Sequence, residues 1–274
     1  MRLAIDGWPK TFIFAVLPVA LTVMAAIGPL QAHEFWLDMA DSMPKPGARV
    51  PVVHRTGQNF LGDSFPYLRA SAKRFTVIDG KGERAIKAIE GDDPAADVAF
   101  PNAGLATVVF ERNADKLVHP TLTRLMEVID GEGVEHVPEL HKRLGLPETG
   151  IRENYARFAK ALVKVGDGKG RDRAVGLPFE IVVEGNPYEL AAGAAIPVQV
   201  LHEGRAVQNV LVKGFYRADG TQPKQARTNA EGRAVLEGVP AGDVLLSAVI
   251  MMPADRRAGA EWTSLWASVT FRRP

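Results

Sequence analysis

Short alternating runs of apolar and polar residues fill the first part of the chain after residue 33. The runs at 50–54, 74–78 and 106–110 are rich in β-branched residues, and clusters of Gly, Pro, Asn and Asp separate them. This pattern is typical of antiparallel strands joined by tight turns. It predicts an N-terminal β-rich domain over residues 33–118.

The pattern changes to helical spacing after Pro120. Residues 121–130 and 138–144 repeat apolar positions at helical intervals, and the run at 148–165 does so most strongly. In that run the apolar positions are Ile151, Tyr155, Phe158, Leu162 and Val165. Gly166 follows, where a glycine commonly ends a helix, and residues 166–170 resemble a flexible linker. A helical insert with its linker is therefore predicted over 119–170.

Strand-like runs return after Gly176, at 179–183, 196–201, 210–216, 232–236 and 244–249. Turn signals recur about every ten residues, which favours a β-sandwich. Segments 201–210 and 227–233 resemble the hairpin and turn of prealbumin-like repeat domains in bacterial surface proteins. The predicted fold class is mainly β, with two antiparallel, sandwich-like domains. The second of these (171–274) is prealbumin-like or Ig-like, and the helical insert lies between the two.

The first 32 residues are typical of a secretory signal peptide. Arg2 and Lys10 precede an uncharged apolar run at 11–27, and Ala32 ends a turn-forming segment. A membrane-spanning helix needs about 20 apolar residues, and this run is shorter. Cleavage after Ala32 and a periplasmic location are therefore predicted, with a retained N-terminal anchor as the alternative.

Composition excludes several classes of site. The 274 residues include no cysteine, which excludes disulfides, thiolate metal sites and cysteine nucleophiles. A formal net charge of +1 gives no electrostatic signal for nucleic acid. Cleavage after Ala32 would remove two basic residues and one acidic residue, leaving 31 of each sign. Any transition-metal site must use nitrogen and oxygen ligands.

Cleavage after Ala32 would also create a candidate metal site at the new N-terminus. The free α-amine and the imidazole of His33 could close a chelate ring, and a second imidazole would complete a histidine brace. Nitrogen ligands of this kind suit Ni²⁺, Co²⁺ and Cu²⁺. Both groups must lose a proton, so binding should weaken in acid. The alternative is that His33 only marks the end of a cleavage site.

His54 is the best-placed second ligand, because it lies in an apolar strand close to the N-terminal strand. The predicted metal-site residues are therefore His33 and His54. The other histidines fit less well: one lies at a hairpin tip and three lie in the helical insert, namely His202, His119, His136 and His141.

Acidic and aromatic residues near the two ends of the mature chain have structural interpretations. Glu34 and Asp38 could balance a bound cation, but the alternation at 34–38 is that of an edge strand with its acids toward solvent. Trp262 and Trp266 share one face of a predicted strand, where core packing is favoured over an exposed aromatic platform. No motif or arrangement of residues indicates catalysis, so the sequence does not predict an enzyme.

Six blocks of sequence carry a family resemblance: 32–37, 57–62, 152–162, 176–182, 186–188 and 262–268. Together they resemble an exported bacterial family catalogued as a domain of unknown function. Its members are commonly labelled periplasmic component of a cobalt/nickel ABC-type transport system and compared with NikM-type nickel-uptake subunits. In those subunits the processed N-terminus and two histidines bind the metal. The resemblance implies this role for the amine and imidazole of His33 only.

The leading hypothesis is a periplasmic protein that binds a divalent transition metal, Ni²⁺ or Co²⁺ first and Cu²⁺ next. It would pass the ion to a membrane or outer-membrane transporter. The alternative is a β-sandwich interaction module that binds a glycan or a partner protein at the cell envelope. An exposed aromatic patch at Trp262 and Trp266 would favour that alternative. A third hypothesis is a histidine-brace copper enzyme acting on O₂.

Overall fold

The computed structural model describes residues 34–191, 193–217, 222–255 and 257–273, which form seventeen β-strands and two α-helices. The strands are β1 (Glu34–Met39), β2 (Ala48–Gln58), β3 (Leu61–Phe65), β4 (Ala72–Asp79), β5 (Gly82–Ala85), β6 (Ala96–Phe100), β7 (Gly104–Arg112), β8 (Asp115–Thr121), β9 (Thr149–Val165), β10 (Phe179–Val183), β11 (Ile196–His202), β12 (Arg205–Ala206), β13 (Leu211–Tyr216), β14 (Lys224–Arg227), β15 (Arg233–Leu236), β16 (Gly242–Pro253) and β17 (Trp262–Arg273). The helices are α1 (Leu122–Ile129) and α2 (Val137–Arg143). The predicted mainly β fold class is confirmed. The predicted signal peptide and His33 lie outside the described residues.

The strands form three sheets. The central sheet has nine strands, in the order β14-β13-β16-β17-β9-β7-β4-β5, and β8 also pairs with β9. The N-terminal sheet consists of β1, β2, β3 and β6, and the C-terminal sheet of β10, β11, β12 and β15. Neighbouring strands are antiparallel in every described pair except β17 with β9, which run parallel. The central sheet takes strands from all three predicted segments of the chain.

The two smaller sheets cover opposite faces of the central sheet. On one face, Ala159 and Ala161 of β9 pack in a cluster with Phe35 and Val52 of the N-terminal sheet. On the other, Phe158 and Leu162 of β9 pack in a cluster with Ile181 and Val198 of the C-terminal sheet. Successive side chains of a strand point to opposite faces of the sheet, so β9 contributes side chains to both clusters.

Residues 149–165 form strand β9, and the helix predicted for them is wrong. A strand buried on both faces has no polar side to alternate with, so it reads as a nearly continuous apolar run. The larger residues of this run, such as Phe158 and Leu162, also recur at helical intervals. The periodicity is therefore compatible with a helix and with a strand. Residues 149–165 form a strand because they are buried on both faces, between the two smaller sheets. The two shorter helices, predicted at 121–130 and 138–144, are confirmed as α1 and α2.

Helices α1 and α2 cover one end of the central sheet. The Thr121 hydroxyl accepts a hydrogen bond from the Arg124 amide at 3.2 Å and caps α1. Leu125 and Ile129 of α1 then pack in a cluster with Trp262 and Trp266 of β17. None of the helices in the described ranges is long and apolar enough to cross a membrane.

A tight hairpin joins β2 and β3 at the block 57–62. Asn59 and Phe60 adopt positive φ angles of 54° and 63°, as a two-residue turn with this twist requires. Gly57 and Gly62 pair directly across the strands. A Cβ atom on Gly62 would lie 2.2 Å from the carbonyl oxygen of Thr56. Close backbone approach therefore explains both glycines.

We expect Gly62→Ala to lower the free energy of unfolding by about 1–3 kcal/mol, because the new methyl group must displace backbone. Gly80→Ala is the matched control, since a Cβ atom there meets nothing within 4 Å. Urea unfolding of both variants measures the difference. Equal midpoints for the two would contradict the steric explanation.

Candidate functional site

His54 lies inside a box of aromatic rings. It is on β2, opposite Leu37 of β1, and is only 1% exposed. Five rings surround the imidazole at centroid distances from 4.4 to 6.4 Å: Phe35, Phe65, Tyr67, Phe75 and Phe110. The imidazole therefore faces carbon atoms on several sides.

The aromatic box keeps His54 neutral. Burial, aided by the positive charge of Arg112, lowers the pKa of His54 from 6.5 to about 4, while Asp93 acts in the opposite direction. Nε2 of His54 is buried without a hydrogen-bond partner among the described residues. A neutral imidazole is the form that binds metals. Yet the described part of the chain holds no group of three or more His, Asp or Glu residues that could hold a metal ion. His54 as second ligand stays a prediction.

His54 is expected to make the protein less stable in acid. The unfolded chain takes up the proton near pH 6.5, whereas the folded protein excludes it down to about pH 4. The contribution of neutral His54 to the free energy of unfolding is complete above pH 6.5. It decreases by roughly 3 kcal/mol as the pH falls to 4. Urea unfolding at several pH values should show a flatter profile for His54→Leu than for wild type. Parallel profiles would contradict this expectation.

Three other histidines have structural partners. His119 Nε2 lies 2.6 Å from a carboxylate oxygen of Glu153. His136 contacts the carbonyl oxygen of Met251 at 2.9 Å. His141 accepts a hydrogen bond at 3.1 Å from the indole N–H of Trp262. His202 pairs with Arg205 at the end of the β11–β12 hairpin, where the sequence predicts it.

A buried cluster of two carboxylates and one ammonium lies at the start of β1. Lys213 Nζ is 2.6 Å from a carboxylate oxygen of Glu132 and 3.4 Å from one of Glu34. All three residues are buried. The expectation that Glu34 points to solvent is therefore wrong, because β1 is covered by the 131–133 turn and by Lys213 of β13.

The Glu34–Glu132–Lys213 cluster carries an excess of negative charge. Burial raises the pKa of Glu132 to about 7, and the charge of Glu34 adds to the rise, although Lys213 opposes both. One ammonium is thus not enough to keep both carboxylates fully ionised at neutral pH. An added cation would relieve the repulsion between them.

Sequence reasoning missed this cluster because its members are far apart in the chain. Glu34 and Lys213 are separated by 179 positions, and Glu132 and Lys213 by 81. One signal was present: Lys213 interrupts an otherwise apolar run at 211–216. A lysine in such a run indicates a buried charge that needs an acidic partner.

Asp38 belongs to a separate network beside a cavity of about 400 Å³. Arg55 and Arg217 bind its carboxylate at 2.6 and 2.8 Å. Arg217 and Arg272 lie 3.5 and 3.4 Å from Asp243. Each of these charges therefore has an opposite charge next to it.

Trp262 and Trp266 are buried beneath the helices, at 0% and 4% exposure. Their indole N–H groups donate to His141 and to the Ser264 hydroxyl. The core-packing interpretation is confirmed. These two residues form no exposed aromatic patch, so the feature that would favour a glycan-binding module is not found at them.

A sequence profile described as "Domain of unknown function (DUF4198)" matches residues 30–251. The chain belongs to the DUF4198 family. The resemblance to a family of unknown function is thus confirmed. The DUF4198 match includes His33, His54 and the Glu34–Glu132–Lys213 cluster, and it ends before β17.

Other comparisons add little to the DUF4198 assignment. No curated protein matches the chain. One similar solved structure is the D0-D1 domain of Intimin, with 12% identity, a TM-score of 0.20, and coverage of 87% of this chain and 97% of that one. Another is the D00-D0 domain of Intimin, with 13% identity, a TM-score of 0.16, and coverage of 86% and 98%. Scores this low support no argument about fold or function.

Proposed function

We propose that this DUF4198 protein is an exported metal-binding protein of the periplasm. The metal would bind at the processed N-terminus. The first candidates are Ni²⁺ and Co²⁺, and Cu²⁺ is the next. The protein would then deliver the ion to a transporter in the membrane or outer membrane and catalyse no reaction itself. This role corresponds to the cobalt/nickel transport label that the family resemblance implies.

The observation that carries the proposal is the Glu34–Glu132–Lys213 cluster. Glu34 is the residue next to His33, so the two carboxylates lie where the mature chain would begin. They share one ammonium, and the pKa of Glu132 is raised to about 7. A divalent cation near them would replace the proton on Glu132 and offset the excess charge.

The ligand set would combine nitrogen and oxygen donors. The α-amine and imidazole of His33 supply two nitrogen atoms, and Glu34 or Glu132 supplies carboxylate oxygen. The affinity of mixed sites of this kind for divalent first-row metals rises from Co²⁺ to Ni²⁺ to Cu²⁺. Selection among them depends on geometry and supply. Because the amine, the imidazole and Glu132 all release protons, affinity should fall steeply below pH 7.

The decisive experiment is a calorimetric titration with Ni²⁺, Co²⁺ and Cu²⁺. It compares protein that begins at His33 with protein that carries one extra residue before it. We expect the extended form to bind at least about tenfold more weakly, equivalent to about 1.4 kcal/mol, because the amine is moved away from the imidazole. Equal affinity of the two forms would rule out the N-terminal site.

A second set of variants tests the carboxylates. Glu132→Gln should weaken metal binding by about 10–100-fold, as loss of a supporting carboxylate commonly does. Glu139→Gln, at an exposed position on α2, is the matched control and should bind as wild type does. His54→Leu is titrated beside them: loss of affinity in that variant would support His54 as second ligand.

A further inference from the structure

A cavity of about 390 Å³ opens on the face of the central sheet that packs on the C-terminal sheet. Its floor consists of Ile78 of β4 with Leu105 and Thr107 of β7. Ile78 and Leu105 also pack against the cluster of the C-terminal sheet, which places the floor on that face. The segment that follows β9 supplies the basic residues of the rim. Small-molecule sites are commonly clefts of about 300–1,000 Å³, so this cavity is large enough for a small ligand.

Backbone contacts hold the rim segment against β7. The amide of Leu105 donates a hydrogen bond to the carbonyl oxygen of Lys169 at 2.9 Å. Gly104 and Gly170 adopt φ angles of 122° and 137°. A Cβ atom on Gly104 would lie 3.1 Å from the Lys169 carbonyl oxygen, and one on Gly170 would lie 3.2 Å from Cβ of Leu105. The two glycines therefore allow a close approach of the chain, and all four residues line the cavity.

Two arginines reach the cavity from either side of a buried aspartate. The carboxylate of Asp172 accepts hydrogen bonds from Lys160 Nζ at 3.0 Å and from the amide of Val183 at 2.8 Å. Its neighbours Arg171 and Arg173 line the cavity instead. Both are exposed, and neither guanidinium has a hydrogen-bond or ion-pair partner among the described residues. The aspartate thus anchors the backbone that carries two unpaired arginines.

The carboxylates closest to the cavity are already paired with other basic groups. Asp79 is the one carboxylate among the described lining residues, and the Arg84 guanidinium donates to it at 2.5 Å. Lys169, the third basic lining residue, is 85% exposed and lies 3.7 Å from Asp167. These two pairs balance in charge. The charges of Arg171 and Arg173 remain.

The interior behind the rim offsets no more than one of these two charges. Asp172 and Glu180 share the ammonium of Lys160, which leaves one excess negative charge there. That charge is directed away from the cavity, because Glu180 also accepts hydrogen bonds from the amides of Val175 and Gly176. The surroundings of the cavity therefore keep a positive excess of between one and two charges.

The floor of the cavity contains a hydroxyl group without a partner. Thr107 pairs with Ile78 across β7 and β4 and is only 8% exposed. Its hydroxyl forms no hydrogen bond with the rest of the described chain. A polar group this deeply buried usually has a partner, and leaving it without one costs free energy. An oxygen atom of a ligand in the cavity would supply that partner.

We propose that this cavity binds a phosphate monoester group. A guanidinium can donate two parallel hydrogen bonds to phosphate, and a lysine ammonium binds phosphate as a point charge. A phosphate monoester carries a charge of about −1.5 to −2 near pH 7 and three acceptor oxygens, which matches the positive excess better than a single carboxylate does. Ile78 and Leu105 would contact the carbon atoms of the ester. The cavity does not depend on His33 or on the proposed metal function.

The test is a calorimetric titration of the protein with glycerol 3-phosphate and with acetate at constant ionic strength. We expect glycerol 3-phosphate to bind at least about tenfold more tightly than acetate, because it carries more charge and more acceptors. Sedimentation with phosphatidylcholine vesicles, with and without phosphatidic acid, distinguishes the sources of the group. Binding only to vesicles that contain phosphatidic acid would assign it to a lipid headgroup, and binding only to glycerol 3-phosphate would assign it to a soluble ester. Binding to neither, or equal affinity for acetate, would overturn the proposal.

Variants locate the effect. Arg171→Gln and Arg173→Gln should each weaken binding of the phosphate probe at least about tenfold, because each removes a charged fork. Thr107→Val should weaken it by a similar factor without lowering the melting temperature, whereas Thr107→Ser should retain binding. Arg143→Gln, at an exposed position on α2, is the matched control and should bind as wild type does. If Thr107→Val fails to fold, the two exposed arginines decide. Wild-type affinity in both arginine variants would contradict the assignment.

Discussion

Lys160→Met is expected to lower the free energy of unfolding by about 3–5 kcal/mol, because it leaves two buried carboxylates without a cation. Lys160 lies on β9 and is 1% exposed. Its Nζ donates to both carboxylate oxygens of Asp172 at 3.0 Å and lies 3.8 Å from Glu180. All three side chains are enclosed in the protein interior.

The carboxylates of this Lys160 triad also organise backbone, which adds to the expected loss. Asp172 accepts a hydrogen bond from the amide of Val183 at 2.8 Å, and Glu180 accepts from the amides of Val175 and Gly176. Repulsion between the two acids would therefore strain the segment that leads into β10. Urea unfolding measures the loss. Lys169→Met is the control, because that side chain is 85% exposed and should change stability by less than about 0.5 kcal/mol. Similar midpoints for both variants would show that the triad contributes little.

Trp262→Ala is expected to destabilise the protein by a comparable amount, about 3–5 kcal/mol. The side chain is fully buried in the cluster formed with Leu125, Val137 and Ile151. Removing it leaves a cavity beneath both helices. The ring also stacks on His141, with the planes inclined by 14°, and its N–H donates to that residue.

Two further variants grade the loss at Trp262. Trp262→Phe keeps one aromatic ring but loses the N–H donor and the volume of the second ring, so we expect a smaller loss of about 1–3 kcal/mol. Leu61→Ala removes an exposed apolar side chain and should be nearly neutral. Differential scanning calorimetry of the three variants checks the order. A melting temperature of Trp262→Ala close to that of Leu61→Ala would contradict the packing role.

Local patterns predicted much of the fold. Strands, turns and the two short helices follow from periodicity and from glycine, proline and capping residues, which act over a few positions. Strand β9 could not be recognised in this way, because its two buried faces depend on two separate sheets, one built from residues 34–100 and the other from residues 179–236. Similarly, the pairing of β9 with β17 joins segments about a hundred residues apart, for which no local signal exists.

Of the residues in the candidate site, the sequence alone indicates only the first, His33. The cleavage motif identifies His33 without any knowledge of the fold. Glu132 and Lys213 reach Glu34 only through packing of a turn and a strand from later in the chain. The aromatic box around His54 draws rings from β1, β3, β4 and β7 and the segment before β4. Such assemblies are set by tertiary contacts, which a single sequence does not display.

The parallel pairing of β17 with β9 also constrains the order in which the chain can fold. Strand β17 comes last among the described strands but lies in the interior of the central sheet, between β16 and β9. Until it is synthesised, both of those neighbours expose unpaired backbone edges, which are prone to pair with other chains. Productive folding therefore waits for residues 262–273. A holding chaperone that binds open strand edges would serve this protein during synthesis.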